Sequence, residues 1–163
     1  MTNLNSMLNI LKIMYQTVDT FDNSSPLVVC KDNNIRKLII ITEDNKIRTL
    51  VEDINSVDEY YNIVYTINKD SQLEIFNKNT GELIYKKDNI IAVSTTMSPD
   101  YIILTLNVCL GKGLNTGRYS KHNILDFHNI LVNKETNKIE EDIKKVNEEV
   151  VKTRTLQDKY INI

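Results

Sequence analysis

The chain has 163 residues, of which 41% are hydrophobic and 26% are charged, and these proportions argue against disorder over its whole length. Its formal net charge of -2 gives no electrostatic reason to expect nucleic acid or an acidic membrane surface as a partner. No apolar run approaches the roughly 20 residues needed to cross a bilayer, so no membrane association is expected. The opening residues lack the features of a signal peptide, which predicts a cytoplasmic location.

Residue usage is biased toward Ile, Asn and Lys, which AT-rich codons encode, so the bias indicates an AT-rich genome rather than selection on the fold. A microbe, a protist or a large DNA virus would fit, and for a viral protein the expected location is the host cytoplasm or the virion. The two cysteines, Cys30 and Cys109, stand inside apolar runs. We expect buried free thiols rather than a disulfide, because two cysteines do not make a disulfide scaffold in a chain of this size.

The first 26 residues are expected to form a helix and a linker. Residues 3–18 carry Leu4, Met7, Leu8 and Leu11 at spacings of three and four, which predicts one apolar helical face. Residues 20–26 are polar and end in a proline, so a loop is expected there.

Residues 27–137 are expected to form a mainly β domain with the topology of an antiparallel meander. Runs rich in β-branched residues alternate with short polar breaks, which is typical of successive hairpins. The predicted strands are residues 27–30, 35–42, 47–54, 60–68, 73–77, 82–88, 90–97, 101–110 and 130–133.

An internal repeat runs through this domain. Residues 63–85 predict two hairpins that share their middle strand, and the second turn, residues 77–81 (NKNTG), matches residues 133–137 (NKETN). Comparable segments recur at intervals of about 25 and about 39 residues, and the longer interval is close to the blade period of a β-propeller.

Two of these stretches resemble a known family. Residues 90–107, IIAVSTTMSPDYIILTLN, resemble the inner strands of a WD-type β-propeller blade, and residues 73–85, LEIFNKNTGELIY, are similar to that family's next strand, turn and outer strand. The resemblance covers residues 35–142 at most; Phe76-Asn77 stands where the family has Trp-Asp, and no Gly-His dipeptide is present. The residue bias is also similar to that of WD-repeat proteins from giant DNA viruses.

The resemblance implies propeller-like blades, but the chain holds material for only two or three, whereas a propeller closes with at least four. A second subunit could complete the propeller, or the chain could be a remnant of one. Alternatively, the strands form a small self-contained sandwich or barrel. These alternatives stay open.

Residues 111–126 hold three of the four glycines of the chain. Gly111, Gly113 and Gly117, together with Lys112 and Arg118, could bring backbone N–H groups and positive charge to a phosphate, so they are the tentative ligand-binding residues. Their spacing is that of neither a P-loop nor a dinucleotide fingerprint, and a hairpin tip is the favoured interpretation.

Residues 138–163 are expected to form a C-terminal helix. Ile139, Ile143, Val146 and Val150 recur every three to four residues, and charged residues cover the other face. Packing on the domain or on a partner is favoured over self-pairing as a coiled coil.

Groups that could carry catalysis are sparse. His122 and His128 have the even spacing that places both on one face of a strand, but only Asp126 lies near them as a further ligand, so no metal site is expected. No catalytic motif is present, and no cofactor is expected.

The sequence therefore favours a non-enzymatic protein–protein interaction or scaffold domain that binds a protein partner or itself. Two alternatives stay open. One is a structural or assembly component, such as one of a virion, and the other is a small phosphate-ligand binder that uses residues 111–117.

Overall fold

The computed structural model describes residues 4–22, 24–112 and 123–161. Its helices are α1 (Leu4–Met14) and α2 (Ile143–Ile161). Its strands are β1 (Thr17–Thr20), β2 (Leu27–Asp32), β3 (Ile35–Ile41), β4 (Ile47–Val51), β5 (Ile54–Tyr60), β6 (Ile63–Asn68), β7 (Leu73–Asn77), β8 (Leu83–Lys87), β9 (Ile90–Met97), β10 (Tyr101–Lys112), β11 (Asn123–Asn133) and β12 (Ile139–Glu140).

The strands form three four-stranded antiparallel sheets, so the expected mainly β fold with a helix at each end is confirmed. Sheet A has the order β1-β2-β3-β4, sheet B has the order β5-β6-β7-β8, and sheet C has the order β12-β11-β10-β9. Within each sheet, neighbours in the chain are neighbours in space, which is the meander that the sequence predicts. The described strands close no barrel.

The chain divides into two compact units, with the boundary between Asp88 and Asn89. The first unit contains α1, sheet A and sheet B, and the second contains sheet C and α2. No run of Pro, Gly or Ser marks this boundary in the sequence.

Both faces of sheet A are buried, which explains why its central strands are apolar without interruption. Leu27 and Val29 of β2 lie in the core between sheets A and B, whereas Val28 and Cys30 lie in the core beneath α1. Residues 38–41 of β3 alternate between the two cores in the same way. Each fully buried aliphatic side chain contributes about 1.5–3 kcal/mol, so β2 and β3 supply much of the stability of the first unit.

The apolar stripe predicted for α1 is the face that covers sheet A. Met7 and Leu11 are buried in one cluster with Cys30. The helix ends at Met14 rather than at residue 18, because residues 17–20 form β1 and pair with β2. This pairing is preceded by a hydrogen bond from the N–H of Gln16 to a carbonyl oxygen of β2, 3.0 Å away.

Two strands predicted as continuous are interrupted by turns. Within residues 47–54, a turn at Asp53 divides β4 from β5. Within residues 60–68, a turn at Tyr61 divides β5 from β6. These two residues have positive φ, 51° and 53°. The left-handed conformation ends a strand, and tyrosine adopts it so seldom that Tyr61 itself carries no turn signal.

Sheet C packs against α2 on one face. Ile103 of β10, Leu131 of β11 and Val146 of α2 form the buried cluster between them. Ile102 and Leu104 alternate with Ile103 along β10, so they lie on the opposite face of the sheet.

The C-terminal helix begins at Ile143 rather than at residue 138. Residues 139 and 140 instead form β12 and pair with two residues of β11. Asp142 then caps α2, because its Oδ2 atom accepts a hydrogen bond from the N–H of Lys145 at 3.2 Å.

The turn between β7 and β8 has the same hydrogen bonds as the turn between β11 and β12. The Oδ1 atom of Asn77 accepts hydrogen bonds from the N–H groups two and three residues later, at 2.8 and 3.2 Å. The Oδ1 atom of Asn133 does the same at 2.9 and 3.0 Å. The fifth residue of each turn has positive φ, 77° at Gly81 and 61° at Asn137. The sequence match between the two turns is therefore also a structural repeat.

Candidate protein-interaction edge

The glycine-rich segment begins on a long hairpin of sheet C. Gly111 and Lys112 are the last residues of β10, and they pair with Ile124 and Asn123 at the start of β11. A bulge lies between Cys109 and Gly111. With 12 and 11 residues, β10 and β11 are the longest strands of the described chain.

The other tentative ligand-binding residues, Gly113, Gly117 and Arg118, lie outside the described residues, and so does His122. Phosphate binding by this segment therefore stays a prediction. In the described part of the chain, no three His, Cys, Asp or Glu side chains are grouped so that they could hold a metal ion.

The outer edge of β11 is paired over only part of its length. β12 pairs with Leu131 and Val132, and no other described strand adjoins β11 on that side. Backbone groups of successive residues point to alternate sides of a strand. The N–H of Asn133 bonds on the β12 side, to the carbonyl oxygen of Lys138 at 3.0 Å. Residues 125, 127 and 129 therefore direct their N–H and C=O groups to the outer edge.

Asp126 contributes a hydrogen-bond acceptor to this edge, and Phe127 contributes an exposed aromatic ring. The Oδ1 atom of Asp126 accepts a hydrogen bond from the N–H of Phe127 at 2.9 Å, so one of the outward N–H groups has a side-chain partner. Phe127 itself is 65% exposed. A sheet edge with an exposed aromatic side chain and so little cover is a place where another extended chain can add.

His128 lies on the opposite face of β11 from Phe127. Its Nε2 atom is buried and has no hydrogen-bond partner among the described residues. The nearest acid is Glu141, whose Oε1 atom is 3.9 Å away, too far for a hydrogen bond. This unused hydrogen-bonding atom is thus a buried one, although 31% of the His128 side chain is exposed.

Lys78 forms a buried ion-pair site in the first unit. Its side chain is 6% exposed, and Nζ lies 2.7 Å from Oδ1 of Asp22 and 3.4 Å from Oε2 of Glu59. Burial acts to lower the pKa of Lys78, but the hydrogen bond to Asp22 and the two carboxylate charges outweigh it and raise that pKa. The amine is therefore an ammonium at neutral pH and cannot act as a nucleophile.

Sequence reasoning missed both Lys78 and the β11 edge. A lysine in a polar turn is normally exposed, so the segment NKNTG carries no sign of burial. The open edge depends on how short β12 is, and a two-residue strand has no periodicity to recognise.

A groove of about 600 Å³ opens in the first unit beside the start of α1. Its walls come from α1, from the end of β3 and from the turns that follow β3 and β7. Glu43 is the one ionisable residue among those that line it. A carboxylate repels phosphate, so this groove offers no second place for the predicted phosphate ligand.

Comparison with known proteins gives no family model, no curated protein and no solved structure that matches the chain. Of the helices that the structure describes, none is long and apolar enough to span a membrane. Function is therefore inferred from residues and geometry.

Proposed function

We propose that the chain is a non-enzymatic protein–protein interaction or scaffold domain whose β11 edge accepts an extended strand of a protein partner. The observation that carries this proposal is the outer edge of β11, an 11-residue strand of which β12 pairs with two residues. An open edge attracts another strand because its backbone donors and acceptors lack partners in the sheet. In such a complex the main-chain hydrogen bonds give affinity, and the side chains beside the edge give specificity.

We also propose that the three sheets are propeller-type blades. Each sheet is a four-stranded meander, and the three follow one another along the chain. Sheet B and sheet C each contain a turn with the same pattern of hydrogen bonds. Sheets A and B pack face to face through a common core that includes Val64 and Phe76 of sheet B. These features support the resemblance to WD-type blades.

The non-enzymatic part of the proposal is supported by the surroundings of three groups that often carry catalysis. Lys78 is held as an ammonium by two carboxylates. Cys30 is fully buried beneath α1. His128 has a single charged neighbour, Glu141, within 4 Å among the described residues. In none of the three does the geometry pair a nucleophile with a base.

Selection of peptides on the purified chain tests the proposed strand-binding edge. We expect a display library of extended 12-residue peptides to yield β-branched-rich sequences that bind with micromolar dissociation constants. Binding should protect the outward amides of Leu125 and Asn129 from hydrogen exchange. These peptides should lose at least about tenfold in affinity for Phe127→Lys, because a lysine at a sheet edge blocks the addition of a strand.

Leu110→Lys is the matched control, because Leu110 lies in the same hairpin and is 63% exposed, close to the 65% of Phe127. It belongs to β10, so its change should leave peptide affinity within about twofold. If every selected peptide binds the two lysine variants equally well, the proposed edge site is wrong.

A further inference from the structure

We propose that the strand accepted by β11 is β11 of a second copy of this chain, paired antiparallel about a two-fold axis at Phe127. The inference rests on the proposed function, because it uses the same open edge. It adds the identity of the partner and the register of the pairing.

The two-fold axis follows from the direction of the backbone groups. Phe127 directs its N–H and C=O groups outward, so two copies can exchange both hydrogen bonds between their Phe127 residues, and Leu125 then pairs with Asn129 of the second copy. Three such pairs give about six hydrogen bonds. β12 ends at Glu140, opposite Leu131, and no described strand pairs with residues 123–130 on that side.

Charge complementarity selects this register. With Phe127 opposite itself, Asp126 of each copy lies opposite His128 of the other, and symmetry creates this pair twice. Pairing releases the Asp126 carboxylate from the N–H of Phe127, and it can then pair with the imidazole of His128, whose side chain is 31% exposed in the single chain. A register centred on Asn129 would instead place Asp126 opposite Val132, where β12 already pairs.

The aromatic side chain supports the same register. Directly opposite residues in a hydrogen-bonded antiparallel pair have Cα atoms about 5.5 Å apart, so the two Phe127 rings would lie side by side on one face of the joined sheet. Phe127 is 65% exposed in the single chain, and the pairing removes much of this apolar surface from water.

Sedimentation velocity and light scattering over a range of concentrations test the inference. We expect the purified chain to form a discrete dimer, and Phe127→Lys to weaken it at least about 100-fold, because two lysines would then lie directly opposite each other. Leu110→Lys should dimerise like the unchanged chain. At a concentration low enough for both variants to be monomeric, their circular dichroism and thermal melting should be the same, since both positions are exposed.

An exchange of the charged pair tests the register itself. Asp126→His and His128→Asp should each weaken the dimer by about tenfold, because each places like groups opposite one another at two symmetric positions. The double variant restores one histidine opposite one aspartate and should recover most of the loss. A double variant no better than the single ones would overturn the register.

The two proposals fail in distinguishable ways. A chain that stays monomeric up to about 0.5 mM, well above micromolar affinity, yet binds selected peptides through Phe127, would overturn self-pairing and leave the strand-binding edge in place. A dimer that Phe127→Lys leaves intact would also overturn self-pairing through β11. A chain that neither dimerises nor binds peptides would overturn both proposals.

Discussion

At the scale of single residues, Lys78 shows how a charged side chain can be buried without being isolated. Its ammonium contacts Asp22 and Glu59, whose side chains remain 63% and 40% exposed. The carboxylates therefore keep much of their water, and the lysine bears most of the desolvation. Loss of the lysine leaves no buried unpaired charge, which is the situation that makes a broken ion pair most costly.

Lys78→Ala should lower the free energy of unfolding by about 2 kcal/mol, because it removes both the ion pair and the buried aliphatic part of the side chain. Lys78→Met keeps most of the apolar contacts and should lose only about 1 kcal/mol. Urea denaturation at pH 7 followed by circular dichroism measures both. If the methionine variant lost as much as the alanine variant, the ion pair rather than the packing would dominate.

The ion pair also predicts a pH dependence. The hydrogen bond and charge of Lys78 hold the pKa of Asp22 below its ordinary 3.8, despite some desolvation, so its contribution is present above pH 3.8 and is lost as pH falls through the lowered pKa. The pKa of Lys78 is raised above 10.5, so its contribution is complete below pH 10.5 and is lost as pH rises through the raised pKa. Between these limits the contribution is constant.

The difference in unfolding free energy between the unchanged chain and Lys78→Met should therefore be level from pH 5 to 9 and shrink below pH 3.8 and above pH 10.5. Urea titrations across this range provide the measurement. A difference that stayed level down to pH 2 would show that the Asp22 carboxylate does not stabilise Lys78.

At the scale of elements, the repeated turn lets one interaction be measured at two places in the same chain. Asn77 and Asn133 occupy the first position of their turns and make equivalent hydrogen bonds to the backbone. Such bonds resemble those of a helix cap, whose loss usually costs about 1 kcal/mol.

Asn77→Ala and Asn133→Ala should each lower the free energy of unfolding by about 1–2 kcal/mol, since each removes two hydrogen bonds to backbone N–H groups. Asn79→Ala and Glu135→Ala, at the exposed third positions, are the controls and should change it by less than about 0.5 kcal/mol. Urea denaturation again gives the values. Unequal losses at the two asparagines, by more than about 1 kcal/mol, would mean that the shared geometry does not carry a shared energy.

The elements also show which structural signals the sequence contains. β2, β3, β6, β7, β9 and β10 were predictable because β-branched runs are strongly specified where a face is buried. β1 has the sequence TVDT and a single half-buried residue, so its pairing with β2 depends on tertiary contact rather than local pattern. The chain reversal at residues 61 and 62 was missed because tyrosine seldom begins a turn, and β12 was missed because a two-residue strand has no periodicity.

At the scale of the whole molecule, backbone amides should be protected from solvent in the covered strands of the first unit. They should be exposed along the outer edge of β11 in the second unit. In the first unit, β2, β3 and β6 each pair with a strand on both sides and have buried residues on both faces. In the second unit, the outward N–H of Asn129 has no described strand beside it, whereas the N–H of Ile130 points toward β10.

Residue-resolved hydrogen exchange, at a concentration low enough for a monomer, should find the slowest amides of the first unit in β2, β3 and β6. The N–H of Asn129 should exchange at least about 100-fold faster than that of Ile130, because only the latter is held by strand pairing. Comparable protection at these two neighbours would show that the outer edge of β11 is covered, and would remove the basis of the proposed interaction.

The proposed function was less predictable than the fold because it does not rest on a sequence motif. A phosphate site, a metal site or a catalytic pair would appear as particular residues at particular spacings, but an open strand edge is defined by what the neighbouring strand fails to cover. The sequence indicated a protein-interaction domain on general grounds, and it predicted that residues 111–117 are the tentative ligand-binding segment. The structure places the described start of that segment on the hairpin whose second strand carries the edge.

The reactivity of the Cys30 thiol reports how often α1 separates from sheet A. Burial raises the pKa of this thiol to about 11, with Lys37 opposing and Asp19 adding to the shift. At pH 7 only about one thiol in ten thousand is ionised, so alkylating reagents, which attack the thiolate, will react with the native side chain extremely slowly. The rate of alkylation at Cys30, followed separately from that at Cys109, therefore measures how often Met7 and Leu11 move away from this sulfur.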